Sequence, residues 1–334
     1  MTRTSRSTHE AAWYFTYIMV QRGGIVVLTM GLSLVVFCSV TTVRSVIPML
    51  VEPGTLGFMI LYGLCCILSF GILFNYVAVA CLCGPNIDPK ETKRLTEQAE
   101  ALPPQERCRL LDAPRRFCHI CERLKAPREY HCRICGRCIA RRDHHCPWIN
   151  NCVQAENNRY FLMMVLYLLL STGFVSSMLC AIYTHSVWHG STVAARDVKR
   201  STSHQFCKSG VYSSPILLLF GVCTITFFIL LFLFGAATLA ALRNETAVES
   251  FIVAQKQSAF QGSLVPFRNP YDLGRQRNLL ALFETKGDPL ITHLRRGGRI
   301  SNIWIGVWLL LPTLRPSAFD GMHYVVFDDV VHAV

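Results

Sequence analysis

Residues 118 to 152 read CHICERLKAPREYHCRICGRCIARRDHHCPWINNC. Cys118 and Cys121, then Cys132 and Cys135, are separated by two residues, the spacing at which one tight turn aims two sulfurs at one ion. His131, Cys138, His145 and Cys152 bring the soft ligands of the stretch to eight, enough for two tetrahedral sites. So short a segment cannot bury a sufficient core, so two zinc ions are expected to act as its scaffold, with little regular structure beyond short hairpins.

The stretch holds one cysteine more than those sites need. Cys146 ends the run Asp143-His144-His145-Cys146, where a carboxylate, an imidazole and a thiol fall together. A free thiol is only slightly ionised at neutral pH, and a neighbouring base oriented by an acid is what makes it attack. Cys146 reads either as a nucleophile, or as a spare structural thiol or an alternative zinc ligand.

The stretch resembles the Asp-His-His-Cys protein S-acyltransferases (palmitoyltransferases). The resemblance runs through Asp143-His144-His145-Cys146-Pro147-Trp148, Asn150-Asn151-Cys152, and Asn157 with Phe161. Further on, Asn244-Glu245-Thr246-Ala247-Val248-Glu249 is similar to the family's Thr-Thr-x-Glu motif, with Ala247 in place of the second threonine. Asn269-Pro270-Tyr271-Asp272-Leu273-Gly274, followed by Asn278, resembles its C-terminal motif.

The resemblance implies that Cys118, Cys121, His131 and Cys138 hold one ion, and Cys132, Cys135, His145 and Cys152 the other. It implies an enzyme in which Cys146 is the nucleophile, His144 its base and Asp143 the acid behind that base. A long-chain acyl group, typically palmitoyl, would pass from acyl-CoA through Cys146 to cysteines of membrane-associated proteins. Thr246 and Glu249 would contact the cysteine-rich domain, a contact weakened by Ala247. Asn278 either satisfies its own turn or bridges to the spans, and the resemblance favours the bridge. His119 is left as a bystander. Lys125, Arg128, Arg141 and Arg142 either meet coenzyme A phosphates or belong to a generally basic face. Trp148 either anchors at the interface or walls an acyl chain.

About half of the 334 residues are apolar and only 16% are charged, which is too hydrophobic for an ordinary soluble domain. Runs free of Asp, Glu, Lys and Arg at 23–43, 53–87, 160–195 and 209–242 each hold the roughly 20 apolar residues that cross a bilayer. The expected protein is therefore an all-α integral membrane protein: helices at 23–51, 55–83, 160–183 and 214–242, and a cysteine-rich double-zinc domain at 116–159 between the second and third. Of the 33 Lys and Arg residues, all but Arg44, Arg196, Lys199, Arg200 and Lys208 lie in 1–22, 84–160 and beyond 242. Cytoplasmic segments carry such an excess, so both termini and the zinc domain are expected in the cytosol, where thiols stay reduced. The net charge of +12 then needs no nucleic acid. An endomembrane, Golgi or endoplasmic reticulum, is the expected home rather than the plasma membrane.

The remaining segments carry less. Residues 1–22 lack the layout of a signal peptide, and 84–115 read as a solvated linker. In that linker Lys90 stands where the family has glycine in an Asp-Pro-Gly turn. Cys81 and Cys83, at a membrane edge, are either acylated themselves or ordinary small core residues. A polar lumenal loop at 184–213 has no assignable chemistry. The C-terminal region, 243–334, contains the apolar strip Ile303 to Pro312, too short to span, with Trp304 and Trp308 as interfacial anchors or a protein-docking face. Ser171, Thr172 and Gly173 are small where Leu and Met dominate, and are expected to border an acyl cavity.

Two other classes fit less well. A membrane-anchored zinc ubiquitin ligase or adaptor wants a final Cys-x-x-Cys, whereas here the last two cysteines are separated by five residues. A transporter wants ionisable groups inside the spans, and apart from Arg44 near one end of the first, the four expected helices have none of Asp, Glu, Lys or Arg.

Overall fold

The computed structural model describes residues 23–83, 89–101, 117–193, 214–259, 269–283 and 310–314. The expectations for residues 1–22, for Asp88, for 194–213 and for Trp304 and Trp308 lie outside the described residues.

Among the described residues, four helices are long and apolar enough to cross a membrane: α1 (Gly23–Leu50), α2 (Leu56–Cys81), α4 (Asn158–Val193) and α5 (Ser214–Arg243). A shorter helix, α3 (Pro89–Glu100), follows α2, and two more, α6 (Ala247–Ala259) and α7 (Arg275–Phe283), follow α5. The cysteine-rich stretch sits between α2 and α4, as the sequence led us to expect. The membrane-length helices are apolar all round, and large side chains such as Leu56 (77% exposed) and Phe232 (76%) face outward. Water would penalise that surface and lipid does not.

Arg44 and Pro48 do not end α1. Residues Thr42–Val46 wind as one π turn and the helix resumes at Ile47. Pro48 has no N–H to bond the carbonyl four residues earlier, and the wider turn absorbs the misfit. A turn at Glu52-Pro53-Gly54 leads to α2; Gly54 takes a φ of 88°, and Thr55 Oγ1 accepts from the Phe58 amide at the helix start. In α4 the helix continues to Val193, past the end expected for it at Tyr183, with no proline to interrupt it.

The chain divides into two compact units. One comprises Thr29–Asn75 and Leu162–Ala236, the greater part of the membrane helices. Its core packs Val46, Val175, Leu179, Ile182, Leu219 and Cys223. Ser39 and Ser69 bond across α1 and α2 at 2.9 Å, and Gly71 leaves room for the Tyr167 ring, which a Cβ would meet at 2.4 Å. An apolar cavity within this unit is lined by Leu34, Cys38, Leu68, Ser171, Thr172 and Val222, among others. Gly173 is turned instead toward Phe227, whose ring a Cβ would approach at 2.9 Å.

The other unit comprises the cysteine-rich stretch, the adjoining helix ends and the C-terminal segments. Its construction answers one problem, the carbonyls left open at a helix C-terminus. At the end of α2, Asn151 Nδ2 donates to the carbonyls of Val79, Ala80 and Leu82, and Asn157 Nδ2 to those of Val79 and Leu82, all at 3.0 to 3.2 Å. At the end of α5, Asn244 turns into the left-handed region (φ 50°), so that its amide bonds Ala241 and that of Glu245 bonds Ala240. That is a Schellman closure with Asn in the usual glycine place. The remaining two carbonyls, of Leu242 and Arg243, are taken by Asn278 Nδ2 (2.7 Å) and Asn269 Nδ2 (3.0 Å).

Within the segment that composition reads as a linker, α3 carries two threonines on its inner face. Thr92 is buried, and Thr96 Oγ1 accepts from the Leu124 amide at 3.2 Å. At the far end, Thr313 offers its carbonyl to the Tyr160 hydroxyl (3.4 Å), with Leu310, Leu311 and Leu314 exposed around it.

Candidate functional site

Three antiparallel hairpins carry the site: β1 (Phe117–Cys118) with β2 (Arg123–Leu124), β3 (Glu129–Cys132) with β4 (Arg137–Ala140), and β5 (His144–Cys146) with β6 (Asn151–Val153). The two Cys-x-x-Cys turns are built alike. Each is followed by a residue in the left-handed region, Glu122 (φ 51°) and Gly136 (φ 66°), and in the second the Cys135 amide donates to the Cys132 sulfur at 3.4 Å.

Strand pairing distributes the ligands. His131 lies opposite Cys138, and His145 opposite Cys152, so the second and third hairpins each contribute one directly facing His–Cys pair. Successive residues of a strand point to opposite faces. His131 and Cys132, adjacent in β3, are thereby sent to different groups. Cys118, Cys121, His131 and Cys138 come together, as do Cys132, Cys135, His145 and Cys152, each with its ligand atoms within 4.8 Å of one another.

These two groups fit a tetrahedral ion. Sulfurs at about 2.3 Å from a central zinc lie about 3.8 Å apart, and a sulfur and an imidazole nitrogen about 3.5 Å. The Cys121–Cys138 and Cys135–Cys152 sulfur separations are 3.8 and 3.6 Å. His131 Nδ1 lies 3.6, 3.4 and 3.9 Å from the sulfurs of Cys118, Cys121 and Cys138. His145 Nδ1 lies 3.9, 3.4 and 3.7 Å from those of Cys132, Cys135 and Cys152. His119 is in neither group; its ring meets Phe117 edge-on at 5.1 Å.

The same alternation separates the adjacent histidines of β5. His145 points to the second group, while His144 and Cys146 share the other face. Cys146 is in neither group and is only 7% exposed. His144 is bonded through Nδ1 to Asp143 Oδ2 at 2.7 Å, and Phe161 meets its ring edge-on at 5.4 Å. Burial works against a charge on His144, but hydrogen bonds to Asp143 and Cys146 outweigh it and push the imidazole up to about 9. Burial also opposes the Asp143 charge, and there the bonds from His144 and from the Ala247 amide prevail, holding the carboxyl below its usual range.

The Asp143 carboxylate is tied to a distant segment, since its Oδ1 accepts from the main-chain amide of Ala247. The start of α6 is a capping box: the Glu249 amide donates to Thr246 Oγ1 (3.2 Å), and the Thr246 amide to Glu249 Oε2 (2.9 Å). Arg128 reaches the same place. Its Nε and Nη2 each lie 2.6 Å from a Glu249 oxygen, Nη1 and Nη2 donate to Asn244 Oδ1 and O, and its guanidinium lies 4.3 Å from the Tyr271 ring centroid. Arg141 Nη2 adds a bond to Asn244 Oδ1 at 3.0 Å.

Two of the four basic residues offered for coenzyme A are bonded within the chain. Arg128 and Arg141 are buried against the 244–249 segment, with left-handed backbones (φ 61° and 46°) that aim them inward. Lys125 and Arg142 are half-buried, and Trp148 is 50% exposed, its carbonyl accepting from the Tyr76 hydroxyl at 2.6 Å. Asn278 does both things weighed for it: it accepts from Leu273 in its own turn and donates to Leu242 of α5. Pro270 follows Asn269 in the same turn, half-buried. The caps made by Asn151 and the packing of Phe161 on His144 were not expected; both residues lie in the quoted motifs, but no local pattern says what an asparagine or phenylalanine will touch.

No curated protein matches this chain. The family model of the DHHC palmitoyltransferases matches residues 112–253, from just before β1 to the first half of α6. That match covers both ligand groups, the Asp143-His144-Cys146 cluster, α4, α5 and the capping box, and over these residues the chain carries a DHHC domain.

Proposed function

We propose that this protein is a membrane-embedded protein S-acyltransferase that moves a long-chain acyl group, palmitoyl in the first instance, from acyl-CoA to cysteine thiols of membrane-associated proteins. The observation that carries the reading is the division of labour along β5: His145 lies among the ligands of one metal group, while Cys146 stands outside both, beside a His144 held at 2.7 Å by Asp143.

The reaction is two thioester exchanges. His144 takes the Cys146 proton, and the sulfur attacks the acyl carbonyl carbon; the bond to coenzyme A sulfur breaks, and that leaving thiolate recovers the proton. His144 then takes the proton of the incoming protein thiol, whose sulfur attacks the same carbon and expels Cys146 as thiolate. The proton returns to Cys146 through His144. Asp143 keeps the His144 ring oriented and stabilises its charge, as the acid of a triad does.

Zinc ions in the two groups would supply folding energy, locking the three hairpins with no part in the chemistry. Lys125 and Arg142 remain for the coenzyme A phosphates, and Trp148, exposed two residues from the thiol, for the start of the acyl chain. Each methylene buried among the helices is worth about 0.8 kcal/mol, so a palmitoyl group holds the acyl-enzyme in the bilayer. The bias of Lys and Arg supports a cytosolic site.

The test is to incubate purified full-length protein with radiolabelled palmitoyl-CoA. Label that neutral hydroxylamine releases, and that Cys146→Ser abolishes while retaining both metals, is expected. A stable protein that takes no label sinks the proposal.

A further inference from the structure

We infer that Cys81 and Cys83 are acyl-acceptor sites, so that the chain is a substrate of its own reaction; this rests on the reading of Cys146 as the acylated nucleophile.

The two thiols stand beside the reacting hairpin. Cys81 is the last residue of α2, and Cys83 follows two residues later. Helical bonding persists to this point, because the Leu82 amide still reaches the Ala78 carbonyl at 2.9 Å. The carbonyl of Leu82, between the two cysteines, accepts from Asn151 and Asn157, and Asn151 lies directly across β5 and β6 from Cys146. Slightly earlier in α2 the Tyr76 hydroxyl donates to the carbonyl of Trp148, two residues past the nucleophile. The end of α2 therefore runs at the level of Cys146, the level at which an acyl-enzyme meets acceptor thiols.

Exposure separates these thiols from the other cysteines. Cys65 and Cys223 are buried, as a cysteine used for packing is, and six cysteines of the hairpins belong to the metal groups. Among the described residues the exposed thiols are Cys66, Cys81, Cys83 and Cys180. At 1.5 Å per residue Cys66 lies about 22 Å before the end of α2, and Cys180 about 33 Å from the start of α4. Cys66 is thus within the hydrocarbon and Cys180 across it, away from the ends at which those helices join the cysteine-rich stretch. Cys81 and Cys83 alone of the four are juxtamembrane on the side of Cys146, the position at which S-acylation takes a thiol. Val77, four residues before Cys81 and 50% exposed, continues the lipid-facing side of α2 beneath that thiol, so an acyl chain there has an apolar surface to lie along.

The transfer is the second thioester exchange with an acceptor from the chain itself. His144 takes the proton of the Cys81 or Cys83 thiol, whose sulfur attacks the acyl carbonyl carbon. The bond to the Cys146 sulfur breaks, and Cys146 recovers the proton through His144. Acyl-CoA supplies each acyl group, and nothing is oxidised or reduced.

The experiment incubates full-length protein in phosphatidylcholine vesicles with palmitoyl-CoA and maps hydroxylamine-sensitive acylation by peptide mass spectrometry. Wild type is expected to carry palmitoyl on Cys146, Cys81 and Cys83, with Cys66 and Cys180 bare. In Cys146→Ser the acylation of Cys81 and Cys83 should be slower by about a hundredfold or more, the scale of lost acid–base catalysis. Cys81→Ser, Cys83→Ser together should keep the Cys146 label and lose the others. Bare Cys81 and Cys83 in a wild type labelled on Cys146 overturn this inference alone. Equal labelling of Cys81 and Cys83 in wild type and Cys146→Ser, or labelling spread evenly over Cys66 and Cys180, shows uncatalysed acylation and also overturns it. A wild type unlabelled on Cys146 overturns the acyl-enzyme reading itself.

Discussion

Arg128 and Glu249, 121 residues apart in the chain, form a two-point ion pair with both N···O distances 2.6 Å and the Arg128 side chain 2% exposed. One lies in the turn before β3 and the other in the first turn of α6, so the pair fastens the hairpins to the C-terminal segment.

Removing one partner strands the other. Glu249→Ala leaves a buried guanidinium without its counter-charge, and breaking such a pair costs about 3–5 kcal/mol. The expected result in detergent is a lower melting temperature and new protease cleavage near α6, with Arg128→Met, Glu249→Met together less damaged than Glu249→Ala alone. Thermal unfolding followed by limited proteolysis checks the order; a Glu249→Ala variant as stable as wild type would remove the pair from the account.

Asn278 is 1% exposed and closes the end of α5 through the Leu242 carbonyl while satisfying Leu273 and Asp272. Asn278→Leu leaves those buried groups without partners, at about 1–3 kcal/mol for each one orphaned. Hydrogen exchange should rise in residues 271–274 and the last turn of α5. Wild-type protection there would show that the cap is dispensable.

His144 gives stability a pH dependence. Its folded value of about 9 lies above the ordinary 6.5. A raised value means that the contribution is fully present below about pH 6.5 and is lost as pH rises through about 9. Wild type should thus lose its margin in melting temperature over His144→Gln between those limits. Parallel curves for the two proteins across that range would contradict the Asp143–His144 pairing.

Ser171 and Thr172 line the apolar cavity between the membrane helices, and Gly173 does not. If that cavity takes the acyl chain, Ser171→Phe shortens it. Competition between labelled acyl-CoAs of different length should then shift toward shorter chains by about an order of magnitude for several excluded methylenes. An unchanged preference would place the chain elsewhere.

How much of this was legible beforehand depends on the range of the interaction. The two Cys-x-x-Cys turns and the four apolar runs are local patterns, and local patterns survive in sequence. The interleaving of the ligands is not local. It follows from His131 pairing with Cys138 and His145 with Cys152, a register that spacing does not state and that only the family resemblance suggested. Arg128 and Arg141 read as coenzyme A contacts or as part of a basic face because nothing nearby in sequence announces Asn244 and Glu249 as their partners. The asparagine caps were hidden for the same reason: Asn151 serves carbonyls about 70 residues earlier, and Asn278 one 36 residues earlier.

The account turns on two identical side chains with opposite tasks, so metal content in His144→Ala and His145→Ala tests it most directly. Elemental analysis of the purified proteins should find both zinc ions in His144→Ala, which loses acylation at neutral pH and regains part of it about one to two pH units higher, where a thiol ionises unaided. His145→Ala should retain one ion, become protease-sensitive across β3 to β6, and show no such recovery. The reverse pattern, an ion lost from His144→Ala and both kept in His145→Ala, would contradict the account.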